Sequence, residues 1–206
     1  MKLPAPSARA SAVLACAVLA ATALGGCATP VGPIEVTRFH LPDASRLGGG
    51  AIAIEPAPGM DGASLEYRSY AAAVARELVR IGYSEQVAGP TPQVAQVKLE
   101  RRSFQPGRDG GPVSVGVGGS TGSYGSGIGL GIGFDLSGPP PEQVETLLSV
   151  MIRDRASGQS LWEGRAGFAV KATSPLAGTQ LGAAKMAQAL FRDFPGRSGE
   201  TIRVEP

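Results

Sequence analysis

Every element that can be read in this chain is apolar on one side only. Ala95, Val97 and Leu99 alternate with Gln96, Lys98 and Glu100. Leu148, Val150 and Ile152 alternate with Ser149, Met151 and Arg153, and Trp162, Gly164, Ala166, Phe168 and Val170 share one face of a return strand. Period two marks half-buried strands. Between the last two runs, Asp154 to Gln159 has turn chemistry, so they form a long hairpin. The spacing of Tyr67, Tyr70, Val74, Leu78 and Ile81 predicts a helix with one apolar stripe, with Ser64 as its N-cap and Gly82 as its stop. Ala183, Met186, Leu190 and Phe194 predict a second helix over Leu176 to Phe194, closed by Pro195-Gly196. One-sided strands and one-sided helices have a common solution: two helices packed on one face of a largely antiparallel sheet, a two-layer α+β sandwich.

The remaining strands are shorter. Ile34 to Phe39 and Ala51 to Glu55 read as strands, the latter preceded by Gly48-Gly49-Gly50, and Ile202 with Val204 ends the order. The chain thus divides into three stretches: residues 1–26, a tether over 27–48, and an α+β domain over 49–206. Within that domain, residues 105–141 form a glycine-rich insert. From Gly107 to Gly138 there are 13 glycines in 32 residues. Val113, Val115 and Val117 alternate with small residues, as do Ile128, Leu130, Ile132 and Phe134, with Tyr124 between the two runs. Three readings are open: a low-complexity loop without fixed structure; a hairpin with one aliphatic and one bare face that extends the core sheet or pairs with a partner strand; or a flap that touches the membrane or another lipoprotein. Val113, Val115, Tyr124, Ile128 and Leu130 are the candidate contact residues.

The first 27 residues carry chemistry. Lys2 and Arg9 precede an apolar run from Ala12 to Leu24, too short to span a bilayer comfortably. A basic start, a short apolar stretch and small residues describe an export signal. Its end, Leu24-Gly25-Gly26-Cys27, resembles the lipobox of bacterial lipoproteins. The resemblance implies a diacylglyceryl thioether on Cys27, cleavage between Gly26 and Cys27, and acylation of the new amine with fatty acids such as palmitate. Ala28 stands where Asp would imply retention at the inner membrane, so the same resemblance implies the outer membrane, facing the periplasm. The alternative is general secretion with a cut after Ala21-Thr22-Ala23.

Composition excludes several other classes. Removal of residues 1–26 leaves 17 basic and 17 acidic side chains, which provides no electrostatic case for nucleic acid. One histidine, His40, and two cysteines are too few for a zinc site or a disulfide scaffold. No metal and no cofactor are expected, and His40 is expected in a solvated loop. Gly118-Gly119-Ser120-Thr121-Gly122 fits G-x-S-x-G, yet the hydrolase form requires a His after the Ser, and His40 lies far upstream. No catalytic residues are assigned. Trp162 is expected to anchor the core.

The C-terminal part resembles the small bacterial lipoproteins of domain-of-unknown-function family 4136. The resemblance rests on Leu147 to Asp154, on Ser157-Gly158-Gln159-Ser160-Leu161-Trp162-Glu163-Gly164-Arg165-Ala166, and on Phe191-Arg192-Asp193-Phe194-Pro195. It implies an envelope lipoprotein without known activity. The function expected is therefore non-enzymatic: attachment to the membrane through N-terminal acyl chains and contact with an envelope protein. The alternative is a binder of small ligands or cell-wall fragments.

Overall fold

The computed structural model describes residues 31–86, 89–106 and 140–206, and the backbone of 113–120 and 127–134. Gly32–Pro206 is one compact unit. Its elements are β1 (Ile34–His40), β2 (Gly50–Pro56), α1 (Leu65–Arg80), β3 (Tyr83–Glu85), β4 (Gln93–Phe104), β5 (Val113–Ser120), β6 (Gly127–Phe134), β7 (Gln143–Asp154), β8 (Ser160–Lys171), a short 3-10 turn (Pro175–Ala177), α2 (Thr179–Leu190) and β9 (Thr201–Val204).

The α+β class is observed. Seven strands form one sheet in the order β3-β2-β4-β7-β8-β1-β9. The sheet is larger and more mixed than expected. β1–β8, β1–β9, β4–β7 and β7–β8 are antiparallel, whereas β2 pairs in parallel with both β3 and β4. The reason is α1. Parallel neighbours need a long crossover, usually a helix, and α1 is that crossover between β2 and β3. Alternation within single strands carries no information about this direction.

The core lies under one sheet face. Ala95, Val97, Leu148, Val150, Ile152, Trp162, Ala166 and Phe168 are buried there, with Tyr70, Val74 and Leu78 of α1 and Met186 and Leu190 of α2. Local chemistry sets the helix ends. Ser64 Oγ accepts from the Tyr67 amide at 3.5 Å, and α1 stops at Ile81 with Gly82 at φ +112°. A Cβ at Gly82 would also run into the Gly48 carbonyl, so the two glycine breaks meet in space. α2 is shorter than the helix expected over 176–194. Gly178 is its N-cap, and the helix ends at Leu190 with Phe191 as cap.

β1 pairs with β8 and β9 and so belongs to the sheet; the stretch expected as a tether contributes a strand to the compact unit. His40 ends that strand and is half-buried rather than solvated. Its Nδ1 lies 2.6 Å from the Leu41 carbonyl and its Nε2 3.2 Å from that of Gly196. The β7–β8 turn is held by Asp154, whose Oδ1 accepts from the Ser157 hydroxyl at 2.7 Å and amide at 2.8 Å and whose carboxylate pairs with Arg46. The Ser157 hydroxyl and amide bonds hold the Asp154 carboxyl below its ordinary pKa, and Arg46 adds to them.

Candidate functional site

The residues that alternate with the buried set make up the other face of the sheet. Register builds it in rows. Glu55, Gln96, Met151, Glu163 and Phe39 lie across one row. Lys98, Ser149, Arg165, Thr37 and Thr201 form the next. Glu100, Leu147, Gly167, Glu35 and Arg203 form a third. These residues alternate with the buried set, which puts them on the other side of the sheet.

Charges on this face are paired within it. Lys98 Nζ lies 2.9 Å from Glu100, Arg165 Nη2 2.6 Å from Glu163, and Arg203 Nε 3.2 Å from Glu35. Arg155 reaches Glu55 at 2.6 Å. Between these pairs lie half-buried Leu147 and Met151, and Phe39 is 48% exposed at the rim. A groove of about 370 Å³ crosses the centre, bounded by Pro58, Lys98, Glu100, Leu147, Met151 and Arg165. A second depression of about 340 Å³, bounded by Arg102, Glu145 and Gly167, shares Glu100 and Leu147 with it. Among the described residues, no three His, Cys, Asp or Glu side chains converge as metal ligands would.

Under the other face, one charged residue among those described is buried. Arg38 is 4% exposed, and its Nε and Nη2 donate to the Leu190 and Ala189 carbonyls at 3.0 and 3.1 Å. Those carbonyls end α2, where helical bonding runs out and a cation is favoured. Burial lowers the Arg38 pKa, opposed by Asp193 and Glu200. Arg38 carries no motif that marks it in the sequence. The only signal was its phase, since it shares the face of Ile34 and Val36. Trp162 is fully buried, as expected. Its Nε1 donates to the Pro195 carbonyl at 3.0 Å, and its ring stacks on Phe191 at 5.3 Å. Arg38 and Trp162 thus tie the end of α2 to the sheet and are structural.

The expected site residues fall into two groups. Gly26, Cys27 and Tyr124 lie outside the described residues. Val113 and Val115 are in β5, and Ile128 and Leu130 are in β6. β5 and β6 pair antiparallel as a two-stranded sheet of their own, with Val113 opposite Phe134, Val115 opposite Ile132 and Val117 opposite Leu130. That register brings all four expected residues to one face of the ribbon.

No family model matches the chain. Similar solved structures include a PDZ domain protein from Parabacteroides distasonis, 11% identical with a TM-score of 0.46, covering 84% of this chain and 39% of that one. This chain therefore spans about two fifths of that protein. Another is the PelC dodecamer from Paraburkholderia phytofirmans, also 11% identical with a TM-score of 0.46, covering 80% of this chain and 99% of that one. At those scores neither bears on function. In sequence, the uncharacterized protein ZMO1243 of Zymomonas mobilis subsp. mobilis is 32% identical over 218 residues, which cover 84% of this chain and 80% of that protein. At that identity and coverage, the chain belongs to the family of ZMO1243.

Proposed function

We propose that this chain is a lipid-anchored protein of the bacterial envelope that acts by protein contact and without catalysis. The observation that carries the anchor is the sequence Leu24-Gly25-Gly26-Cys27 behind a basic start and a short apolar run. Two or three acyl chains on Cys27 would hold the protein durably, where one alone is marginal. Ala28 favours the outer membrane with the domain in the periplasm. The motifs around Asp154, Trp162 and Phe191 favour kinship with the lipoproteins of domain-of-unknown-function family 4136. We read the architecture as two layers, with the helices on one sheet face and the ion-paired face turned outward for a partner.

The second reading, a binder of small ligands or cell-wall fragments, would use the groove at Leu147 and Met151. Its side-chain charges already satisfy one another, which favours a broad contact over a small charged ligand. Membrane fractionation with a fatty-acid label tests the anchor. The wild-type chain takes up the label and stays with membranes, whereas Cys27→Ser accumulates as unlabelled precursor. A Cys27→Ser chain that matures and fractionates like the wild type overturns the proposal.

A further inference from the structure

We infer that the end of the domain where β1 begins rests on the bilayer, with Leu65, Leu181 and Phe104 as its apolar contacts; this deepens the lipid-anchor reading and rests on it. The pairing register gathers several elements at that end. Arg101 of β4 lies opposite Thr146 of β7, and Thr146 opposite Phe168 of β8. Glu35 lies opposite Gly167, so Ile34, the first residue of β1, enters the sheet at the level of this row. Both helices start there too. Arg101 pairs with Glu66 in the first turn of α1, and donates to Thr179 Oγ1 at the start of α2 at 3.2 Å and to the Ala177 carbonyl at 2.7 Å. Leu65 and Leu181 flank this junction, 74% and 44% exposed. Phe104 ends β4 just beyond Arg101, with the Arg102 guanidinium 5.8 Å from its ring centre. Five large apolar side chains are exposed among the described residues, and these are three of them; Phe39 and Val79 lie towards the far ends of β1 and α1.

The occupant follows from the length of chain that leads to the anchor. Six residues, 28–33, separate Cys27 from Ile34, and that link spans at most about 25 Å. β7 alone, with twelve residues, is about 40 Å long at ~3.4 Å per residue. An acyl anchor at Cys27 would hold the β1-start end near the headgroups. The turn at residues 154–159 lies a strand length further away, and approaches the bilayer only if the domain lies on its side. The sides are poor choices. One sheet face carries the Lys98–Glu100 and Arg165–Glu163 pairs, and α1 exposes Arg68, Arg76 and Arg80. Three apolar side chains would not hold a free domain on a membrane, but an anchor makes the contact intramolecular, where a weak one suffices to set orientation. Arg101 and Arg102 are already paired with Glu66 and Glu145, so the contact is apolar and does not depend on salt. The upright pose also leaves the ion-paired sheet face free for a protein partner.

Site-specific fluorescence tests this. The parent is the full chain carrying Cys16→Ala, extracted from membranes. Into it go, singly, Leu65→Cys and Leu181→Cys at the proposed contact, Ala156→Cys in the far turn, Lys98→Cys on the sheet face and Arg76→Cys on α1. All five positions are exposed, and circular dichroism checks the fold of each variant. Each is labelled with bimane and reconstituted in phosphatidylcholine vesicles containing spin-labelled lipid. The expected result is quenching several-fold stronger at positions 65 and 181 than at 156, 98 and 76, unchanged by high salt. Equal quenching at the five positions, none at any, or quenching strongest at 156, 98 or 76 overturns the inference. Bimane that is blue-shifted at 65 and 181 yet unquenched puts that end against a second copy and overturns it too. The parent alone, whose one thiol is Cys27, takes up bimane only if Cys27 is not acylated. Label on the parent therefore overturns the anchor reading and this inference with it, whereas misplaced quenching on an unlabelled parent background overturns the inference alone.

Discussion

At the residue scale, the core turns on a few close fits. Gly164 sits against the Trp162 ring, and a Cβ there would strike that ring and approach Leu190 Cδ1 at 2.8 Å. Gly164→Ala should therefore destabilise the domain by about 1–3 kcal/mol, as overpacking does, with Trp162 unable to move because its Nε1 is held by Pro195. A thermal melt checks it. Tyr67 makes the opposite case. Its hydroxyl is buried without a hydrogen-bond partner among the described residues, and burial, with Glu55 adding, pushes its pKa up to about 12. An unfolded tyrosine ionises near ~10. The folded pKa is the higher one, so the contribution of Tyr67 is complete below that pH and lost as pH rises towards about 12. Tyr67→Phe should equal or exceed the wild type in stability at neutral pH and lose less of it in alkali. Denaturant titrations at pH values on both sides of ~10 check this. Trp162 and the tyrosines were legible as core because they fell on an apolar period. Arg38 was not, because its partners are two main-chain carbonyls from a segment about 150 residues away.

At the element scale, strands and helices were legible wherever side chains alternate at their period. The β7–β8 hairpin came out longer than its apolar alternation, because pairing continues through Gln143–Val144 opposite Val170–Lys171. β3 escaped notice, since three residues cannot display a period. α2 was overextended at both ends, because Leu176 keeps a helical phase across the N-cap at Gly178 and Phe194 keeps it past the C-cap at Phe191. The insert left three readings open, and β5 and β6 are paired as strands. That ribbon is a separate sheet from the seven-stranded one. Replacing residues 107–138 by a short glycine-serine linker should therefore keep every pairing of the main sheet. β4 and β7 already bring Phe104 opposite Gln143, and closure cost changes slowly with loop length. Stability should stay within about 1 kcal/mol of the wild type, read from urea melts. Unfolding of this variant would show that the ribbon completes the core.

At the scale of the whole molecule, one-sided elements predicted the α+β class but not the mixed sheet. Strand direction depends on where α1 crosses over, and strand order on contacts between distant segments: β1 and β9 neighbour each other from opposite ends of the domain. The opposite face follows from strand alternation, because residues between the buried ones, such as Lys98, Leu147 and Arg165, lie on the other side of the sheet. Its ion pairs were not legible either, since Lys98–Glu100 and Glu163–Arg165 read in sequence as ordinary solvated positions. The proposed function turns on Cys27, which would convert an export signal into an anchor. Mass spectrometry of the N-terminal peptide from protein extracted from membranes tests it most directly. The expected peptide begins at Cys27 and carries a diacylglyceryl thioether with an acylated amine. A peptide that extends upstream through Gly26, or a free Cys27 thiol on a soluble chain cut after Ala23, would contradict it.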